Sequence, residues 1–159
     1  MPPSPLTPTL RYFPPGTRKT YWVVTISNYN APTRGELNAG VDLSAEIQAV
    51  SGWSLAGATV DTPDMGQRFT TQVPGRQTAA TNDLTVYTSS TGNDARAVLV
   101  NNTNGYIVQL WEGDVTGQWM DVFPVRIMSQ AMDSAIENAG AVVISFAVTR
   151  VPAIRVAIP

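Results

Sequence analysis

Residues 141–151 (AVVISFAVTRV) decide the fold class of this chain. Every second position from 142 to 148 is apolar, and three small residues, Ser145, Ala147 and Thr149, stand on the other face. Such alternation is typical of a strand with one buried face, because successive side chains of a strand point to opposite faces. The small residues on the other face would let a helix or a second copy of the chain approach closely.

The same alternation extends outward from this strand over most of the sequence. Further strands are predicted over residues 20–26, 41–50, 68–73, 84–88, 106–111 and 119–128. Turn residues separate them at 61–66, 74–75, 104–105 and 112–114. Within 119–128 we expect Phe123, Val125 and Ile127 to face the core, while Pro124 points to an edge position or a bulge. These patterns indicate a mainly β protein.

Two short helices are predicted beside the strands. Thr33 and Glu36 have the spacing of a capping box, in which each side chain binds the backbone N–H of the other residue. Gly40 suits the position just after the end of that helix. The second helix is expected within residues 93–100, with Asn93 or Asp94 as its N-cap.

The ends of the chain differ from its middle. Residues 1–16 hold six of the twelve prolines and predict an extended arm, either a disordered terminus or a segment that lies on a neighbouring subunit. Residues 17–151 form a single domain. Residues 152–159 (PAIRVAIP) form an apolar C-terminal arm that we expect to dock on the domain or on a partner.

The composition excludes many functions. There is no histidine and no cysteine, which removes the usual acid–base, nucleophilic and zinc sites as well as disulfides. Charged residues make up only 14%, against about 25% in an ordinary protein. The formal net charge of −2 offers no basic footprint for nucleic acid. No targeting signal or apolar run of membrane-spanning length is present, so synthesis in the cytoplasm is expected. No cofactor is predicted.

Three groups of carboxylates could carry chemistry, and each also has a structural explanation. Asp61 and Asp64 suit a turn more than a weak cation loop. Glu112, Asp114 and Asp121 could pair as glycosidase carboxylates, although a solvated hairpin tip is the favoured explanation. Asp133 and Glu137 lie on a predicted loop without an evident partner.

Several segments, in order, resemble one known family. The segments are residues 16–19 (GTRK), 31–33 (APT), 36–40 (ELNAG), 60–64 (VDTPD), 68–70 (RFT), 94–96 (DAR), 105–108 (GYIV), 120–125 (MDVFPV) and 149–152 (TRVP). Together they resemble the major tail tube proteins of long-tailed, siphovirus-type bacteriophages, in particular those that infect actinobacteria. The similarity runs from about residue 16 to the C-terminus, and the Pro-rich residues 1–15 depart from the family's usual short start.

This resemblance implies an antiparallel β-sandwich or small barrel that assembles into stacked hexameric rings around a channel for the genome. The implied partners are other copies of the chain, the tape measure and tail terminator proteins, and DNA as a transient passenger, all within a virion tail assembled in the host cytoplasm. The loop over residues 61–83 would contact the next ring, and we single out Asp61, Asp64, Arg68, Arg76 and Asp83 as its contact residues. We single out Glu112, Asp114, Asp121, Asp133 and Glu137 as candidates for an acidic lumen.

Two other classes of function remain open at this point. A capsid decoration protein or carbohydrate-binding module of a virion would use exposed aromatic side chains such as Trp111 and Trp119. A glycosidase that works with carboxylates alone would use a pair among Glu112, Asp114 and Asp121.

Overall fold

The computed structural model describes residues 4, 6–92, 94–133 and 139–159 and confirms a mostly antiparallel β protein. Its described part contains ten strands and two short helices. The strands are β1 Lys19–Val23, β2 Val41–Asp42, β3 Ile47–Ser51, β4 Leu55–Thr62, β5 Thr71–Ala79, β6 Asn82–Tyr87, β7 Asn104–Leu110, β8 Trp119–Asp133, β9 Ala141–Val148 and β10 Ala153–Ala157. The helices are α1 Arg34–Asn38 and α2 Ala95–Val98.

Eight of the strands form one open sheet in the order β2-β1-β7-β8-β9-β6-β3, and β10 pairs with β8 beside this path. All the pairs are antiparallel, and the cross-strand partners include Ile107 with Phe123 and Ile127 with Phe146. The remaining strands, β4 and β5, form a separate two-stranded hairpin. The path does not close into a barrel among the described residues, so strand edges remain free at β2 and β3.

The apolar core divides into two clusters on opposite faces of the sheet. Ile107 and Phe123 belong to one cluster, while their chain neighbours Val108 and Val122 belong to the other, as the alternation of a strand requires. Trp53 closes the first cluster, with its ring 5.2 Å from that of Phe123 in an edge-on arrangement. The predicted core positions of β8 and β9 are thereby confirmed.

Both helix starts are built as the sequence predicts. The Thr33 side chain accepts from the Glu36 backbone N–H, and the Glu36 carboxylate accepts from the Thr33 N–H, which completes the capping box of α1. Asp94 is the N-cap of α2 and accepts from the Arg96 N–H at 2.9 Å. Asn93, the alternative cap, lies outside the described residues.

The C-terminal residues dock on the sheet. Strand β10 pairs with the first half of β8, and the Ile158 N–H donates to the Gln118 carbonyl at 2.8 Å. The Ile158 side chain is buried in the second cluster with Ala153. Docking is therefore onto the chain's own domain, and residues 152–159 supply a strand of the sheet.

The prediction of an edge position or bulge at Pro124 was wrong, because β8 is a central strand. Residues before Pro124 on β8 pair with β10, and residues from Val125 onward pair with β9 on the same side. The Pro124 carbonyl accepts from Thr149, which follows the end of β9, so this side of Pro124 faces the junction between the two neighbours. The missing N–H of proline falls at that junction, and the sheet loses little there.

Three further predictions of local structure were wrong. Residues 41–50 are two strands, because the Asp42 side chain accepts from the Ser44 N–H and turns the chain between β2 and β3. Residues 74–75 lie inside β5, at a register shift where β5 carries one residue more than β4, and a bulge of this kind tolerates proline. Residues 104–105 begin β7, because Gly105 leaves room for the Trp22 indole on the neighbouring strand.

Candidate functional site

The β4–β5 hairpin is exposed along almost its whole length. It pairs Leu55 with Ala79 at its base and Thr62 with Thr71 near its tip, and almost all of its residues are exposed. A two-stranded hairpin in water is at best marginally stable without a third strand or an apolar cover. The hairpin therefore has both of its faces available for a partner.

Apolar side chains are exposed along this hairpin. Val60 and Val73 form a cross-strand pair, and Met65 and Phe69 project from the tip. The Asp64 carboxylate accepts from the Gly66 N–H at 2.8 Å and shapes the tip as a turn. Exposed apolar residues grouped in this way are typical of a surface that becomes buried in an assembly.

The predicted contact residues of the 61–83 loop divide between two places. Asp61, Asp64, Arg68 and Arg76 all lie on the hairpin or its tip. Asp83 lies on β6 in the main sheet, where its Oδ1 atom is buried without a hydrogen-bond partner. The projecting element thus spans residues 55–79, so it begins before the predicted loop and ends before Asp83.

Asp114 is held by an ion pair that the sequence does not reveal. Both oxygens of its carboxylate contact the Arg34 guanidinium, with one distance of 2.8 Å, and Oδ2 accepts from the Tyr21 hydroxyl at 2.9 Å. The hydrogen bonds from Arg34 hold the pKa of Asp114 below its usual value, and burial together with Asp114 raises the pKa of Tyr21 to about 12. Asp114 therefore joins α1 and β1 to the β7–β8 turn.

Asp121 is also engaged within the fold. Its side chain is 8% exposed and accepts from the Trp111 indole N–H at 2.6 Å and from the Arg155 backbone N–H at 2.8 Å. The Arg18 guanidinium lies over the Trp111 ring, 4.1 Å from its centroid, and donates to Gln109 at 2.7 Å. This polar group closes one end of the first core cluster.

The five predicted lumen acids consequently differ in what they can do. Glu112 is exposed on the β7–β8 turn, whereas Asp114 and Asp121 already have hydrogen-bond partners. Asp133 is the last residue of β8, and Glu137 lies outside the described residues. The structure brings no free pair of carboxylates together from Glu112, Asp114 and Asp121, as a glycosidase would need.

The polar group around Asp121 was missed at the sequence level, although a signal was present. Gln109 and Asp121 are cross-strand partners two residues from Ile107 and Phe123 respectively, so both share the face of the first core cluster. Polar residues in phase with a core face need partners, and here Arg18 donates to the Gln109 Oε1 atom and Trp111 donates to Asp121, whereas Gln109 Nε2 is buried without a partner among the described residues.

In the parts of the chain that the structure describes, no three side chains of Asp and Glu are grouped as a metal site would require. Nor does any helix in those parts have the length and apolar character to cross a membrane.

Comparison with known proteins decides the family. A family model described as phage tail tube protein matches residues 7–159. The chain belongs to this family. It is thus a structural component of a phage virion tail, in agreement with the resemblance found in the ordered segments.

A solved structure of a prophage baseplate contains a chain with a similar fold. A chain of the anti-feeding prophage baseplate, determined by cryo-electron microscopy and six-fold symmetrised, has a TM-score of 0.58 to this tail tube protein at 10% sequence identity. The similarity covers 91% of this chain and 94% of the other. No match was found among curated protein sequences.

Proposed function

We propose that this tail tube protein is the major subunit of a siphovirus-type tail, where it forms stacked hexameric rings around a channel for genome delivery. The observation that carries the proposal is the β4–β5 hairpin, a two-stranded element with exposed apolar residues on a chain of the tail tube family. The six-fold symmetry stated for the similar baseplate structure supports six subunits in a ring.

In the proposed tube the hairpin contacts the next ring. Val60 and Val73 then gain an apolar cover, and Met65 and Phe69 at the tip become buried. Each buried side chain of this size contributes roughly 1.5–3 kcal/mol, so the two tip residues would add about 3–6 kcal/mol per contact. Asp61, Asp64, Arg68 and Arg76 would lie around this apolar contact and fix its orientation.

Contacts within a ring would use the free edges of the open sheet. Strands β2 and β3 lie at the two ends of the strand order, and each has a partner on one side only. Unpaired N–H and C=O groups at such edges readily pair with another chain. Pairing from copy to copy would join the sheets into a continuous wall around the lumen.

The proposed tube would carry a net negative charge. Six copies carry a formal charge of six times −2, or −12, which disfavours tight binding of phosphates. We propose that some of Glu112, Asp114, Asp121, Asp133 and Glu137 face the lumen. Tape measure and tail terminator proteins are the proposed further partners, with assembly in the host cytoplasm.

Electron microscopy of the purified protein tests the proposal directly. Rings or tubes with a central channel are expected, and a species that stays monomeric by light scattering at every concentration would contradict it. Binding to empty capsids or to glycans without self-assembly would instead favour the decoration or carbohydrate-binding alternative.

A substitution at the hairpin tip tests the contact between rings. Met65→Ser combined with Phe69→Ser should leave the circular dichroism spectrum unchanged and abolish long tubes. Val100→Ser removes an exposed apolar side chain outside the hairpin and serves as the matched control, with tubes expected. Tubes of normal length from the tip variant would show that the hairpin makes no contact between rings.

A further inference from the structure

A groove with both polar and apolar lining residues crosses the surface between the base of the hairpin and the start of β7. It consists of two hollows of about 230 and 210 Å³ that share Thr149 and Arg150. Val24 and Tyr106 line the first hollow, and Leu55 and Val151 line the second. Val24 is 61% exposed and Val151 is 70% exposed. The groove is therefore open, and within the described chain nothing fills it.

The N-terminal arm carries the complementary feature. Leu6, Leu10 and Phe13 are 97%, 99% and 79% exposed, although they are among the largest apolar side chains of the molecule. The Tyr12 hydroxyl donates to the Trp111 carbonyl at 3.1 Å and attaches the base of the arm to the sheet. Beyond that point the arm presents apolar side chains to solvent.

The arm and the groove lie toward opposite ends of β1 and β7. At one end Tyr106, which lines the groove, pairs with Val23. At the other end Leu110 pairs with Lys19, and the next residue, Trp111, accepts the hydrogen bond from the arm. Residues 106 to 111 span about 17 Å along a strand. Ten arm residues in a polyproline conformation extend for roughly 31 Å. An arm at one end and its receptor at the other suit head-to-tail association of identical copies.

We propose that the arm of one copy lies in the groove of the adjoining copy, with Leu10 against Val151 and the preceding turn of the arm along Tyr106. The proline content favours this, because a chain already held in the polyproline conformation loses little entropy on docking, and the groove offers it Tyr106, Pro124 and Pro152. The inference rests on the proposed self-assembly, since the occupant is a second copy of this chain.

Disulfide trapping tests the contact without interference, because the chain has no cysteine of its own. The variant Leu10→Cys with Val151→Cys is assembled, oxidised and run on a non-reducing gel. A ladder of covalent dimers and higher multimers is expected, since each copy gives one arm and receives one. The matched control pairs Leu10→Cys with Thr91→Cys and should give no ladder. Thr91 is exposed and follows the end of β6, which pairs with the start of β9, whereas the groove lies just after the other end of β9.

The other outcomes separate this inference from the proposed function. If electron microscopy shows tubes but the gel shows no ladder, the proposed arm contact is wrong and the proposed tube assembly still holds. A disulfide that forms only within one copy would show that the arm lies in the groove of the same copy, and this result would also overturn the proposed contact between copies. Failure of the unmodified chain to self-assemble would overturn both proposals.

Removal of residues 1–13 provides a second measurement. The shortened chain should fold with an unchanged circular dichroism spectrum, because the described residues of this segment are all exposed. The critical concentration for assembly should rise at least about tenfold, since each contact loses more than one buried apolar side chain. An unchanged critical concentration would contradict the inference.

Discussion

Gly105→Ala should destabilise the fold through a single contact. A Cβ atom at residue 105 would lie 2.5 Å from Cη2 and 2.6 Å from Cζ2 of the Trp22 indole. Ordinary carbon–carbon contacts lie at about 3.5–4.0 Å, so the ring or the strand must move by roughly 1 Å. Trp22 is 1% exposed and packs in the first core cluster, so it has no free space to move into.

The expected cost is about 2 kcal/mol, within the usual 1–3 kcal/mol for overpacking a core. For a domain of this size that corresponds to a fall in melting temperature of about 4–8 °C. Urea denaturation followed by far-UV circular dichroism, on protein too dilute to assemble, measures it without the stability that assembly adds. Gly35→Ala is the control: no atom lies within 4 Å of the new Cβ, and alanine favours helix α1 by up to about 1 kcal/mol.

A double-mutant cycle decides whether Trp22 is the cause. In a Trp22→Phe background the atoms that clash are gone, so Gly105→Ala should cost at least about 1 kcal/mol less than in the original chain. If the cost is the same in both backgrounds, the destabilisation has another origin and the account of the start of β7 fails.

Three further predictions concern the ends of the elements. Asp94→Ala should lower the free energy of unfolding by about 1–2 kcal/mol, measured in urea, because the N-cap of α2 is lost, and Asp94→Asn should recover part of it. Glu36 has its pKa lowered to about 2 by the backbone N–H groups of its capping box and of residue 27. Its contribution is present above the unfolded value of about 4.3 and is lost as the pH falls toward 2, so the stability difference between the original chain and Glu36→Gln should vanish over that range. Removal of residues 152–159 should cost at least about 3 kcal/mol in thermal or urea unfolding, because Met120 and Val122 lose their cover; an unchanged melting temperature would show that β10 is dispensable.

Local patterns predicted those parts of the fold that depend on neighbouring residues. The capping box of Thr33 and Glu36 needs only residues three apart, and the alternation through Ile144 and Phe146 needs only a strand with one buried face. Gly105 and Pro124 were misread for the opposite reason. An Asn-Gly pair favours a turn unless a distant indole occupies the space above the glycine. Proline has no N–H and favours an edge, unless the side on which the N–H would lie faces a gap between two neighbouring strands.

The candidate site shows the same limit. The exposed hairpin could be expected from polar turns on either side of a short strand, although its bounds could not. Asp114 could not be assigned a partner from sequence, because Arg34 is 80 residues away and is brought to it by α1 packing beside β1. The sequence gives the formal charge of a residue, but the electrostatic field that the residue exerts on a neighbour depends on contacts such as the one between Asp114 and Arg34.

The partners of Asp114 and Asp121 limit how the proposed channel can repel DNA. An aspartate in a two-point contact with Arg34 presents little net field, and one that accepts from Trp111 and the Arg155 backbone is directed into the fold. Of Glu112, Asp114 and Asp121, Glu112 is then the carboxylate best able to act on a passing phosphate. Glu112→Lys should change the local charge by +12 in a hexamer, since each of six copies changes by +2, while leaving the fold intact. DNA retention by assembled tubes, measured by co-sedimentation against salt, should increase in this variant and weaken as salt is raised. Retention equal to that of the original tubes at low salt would place Glu112 away from the lumen.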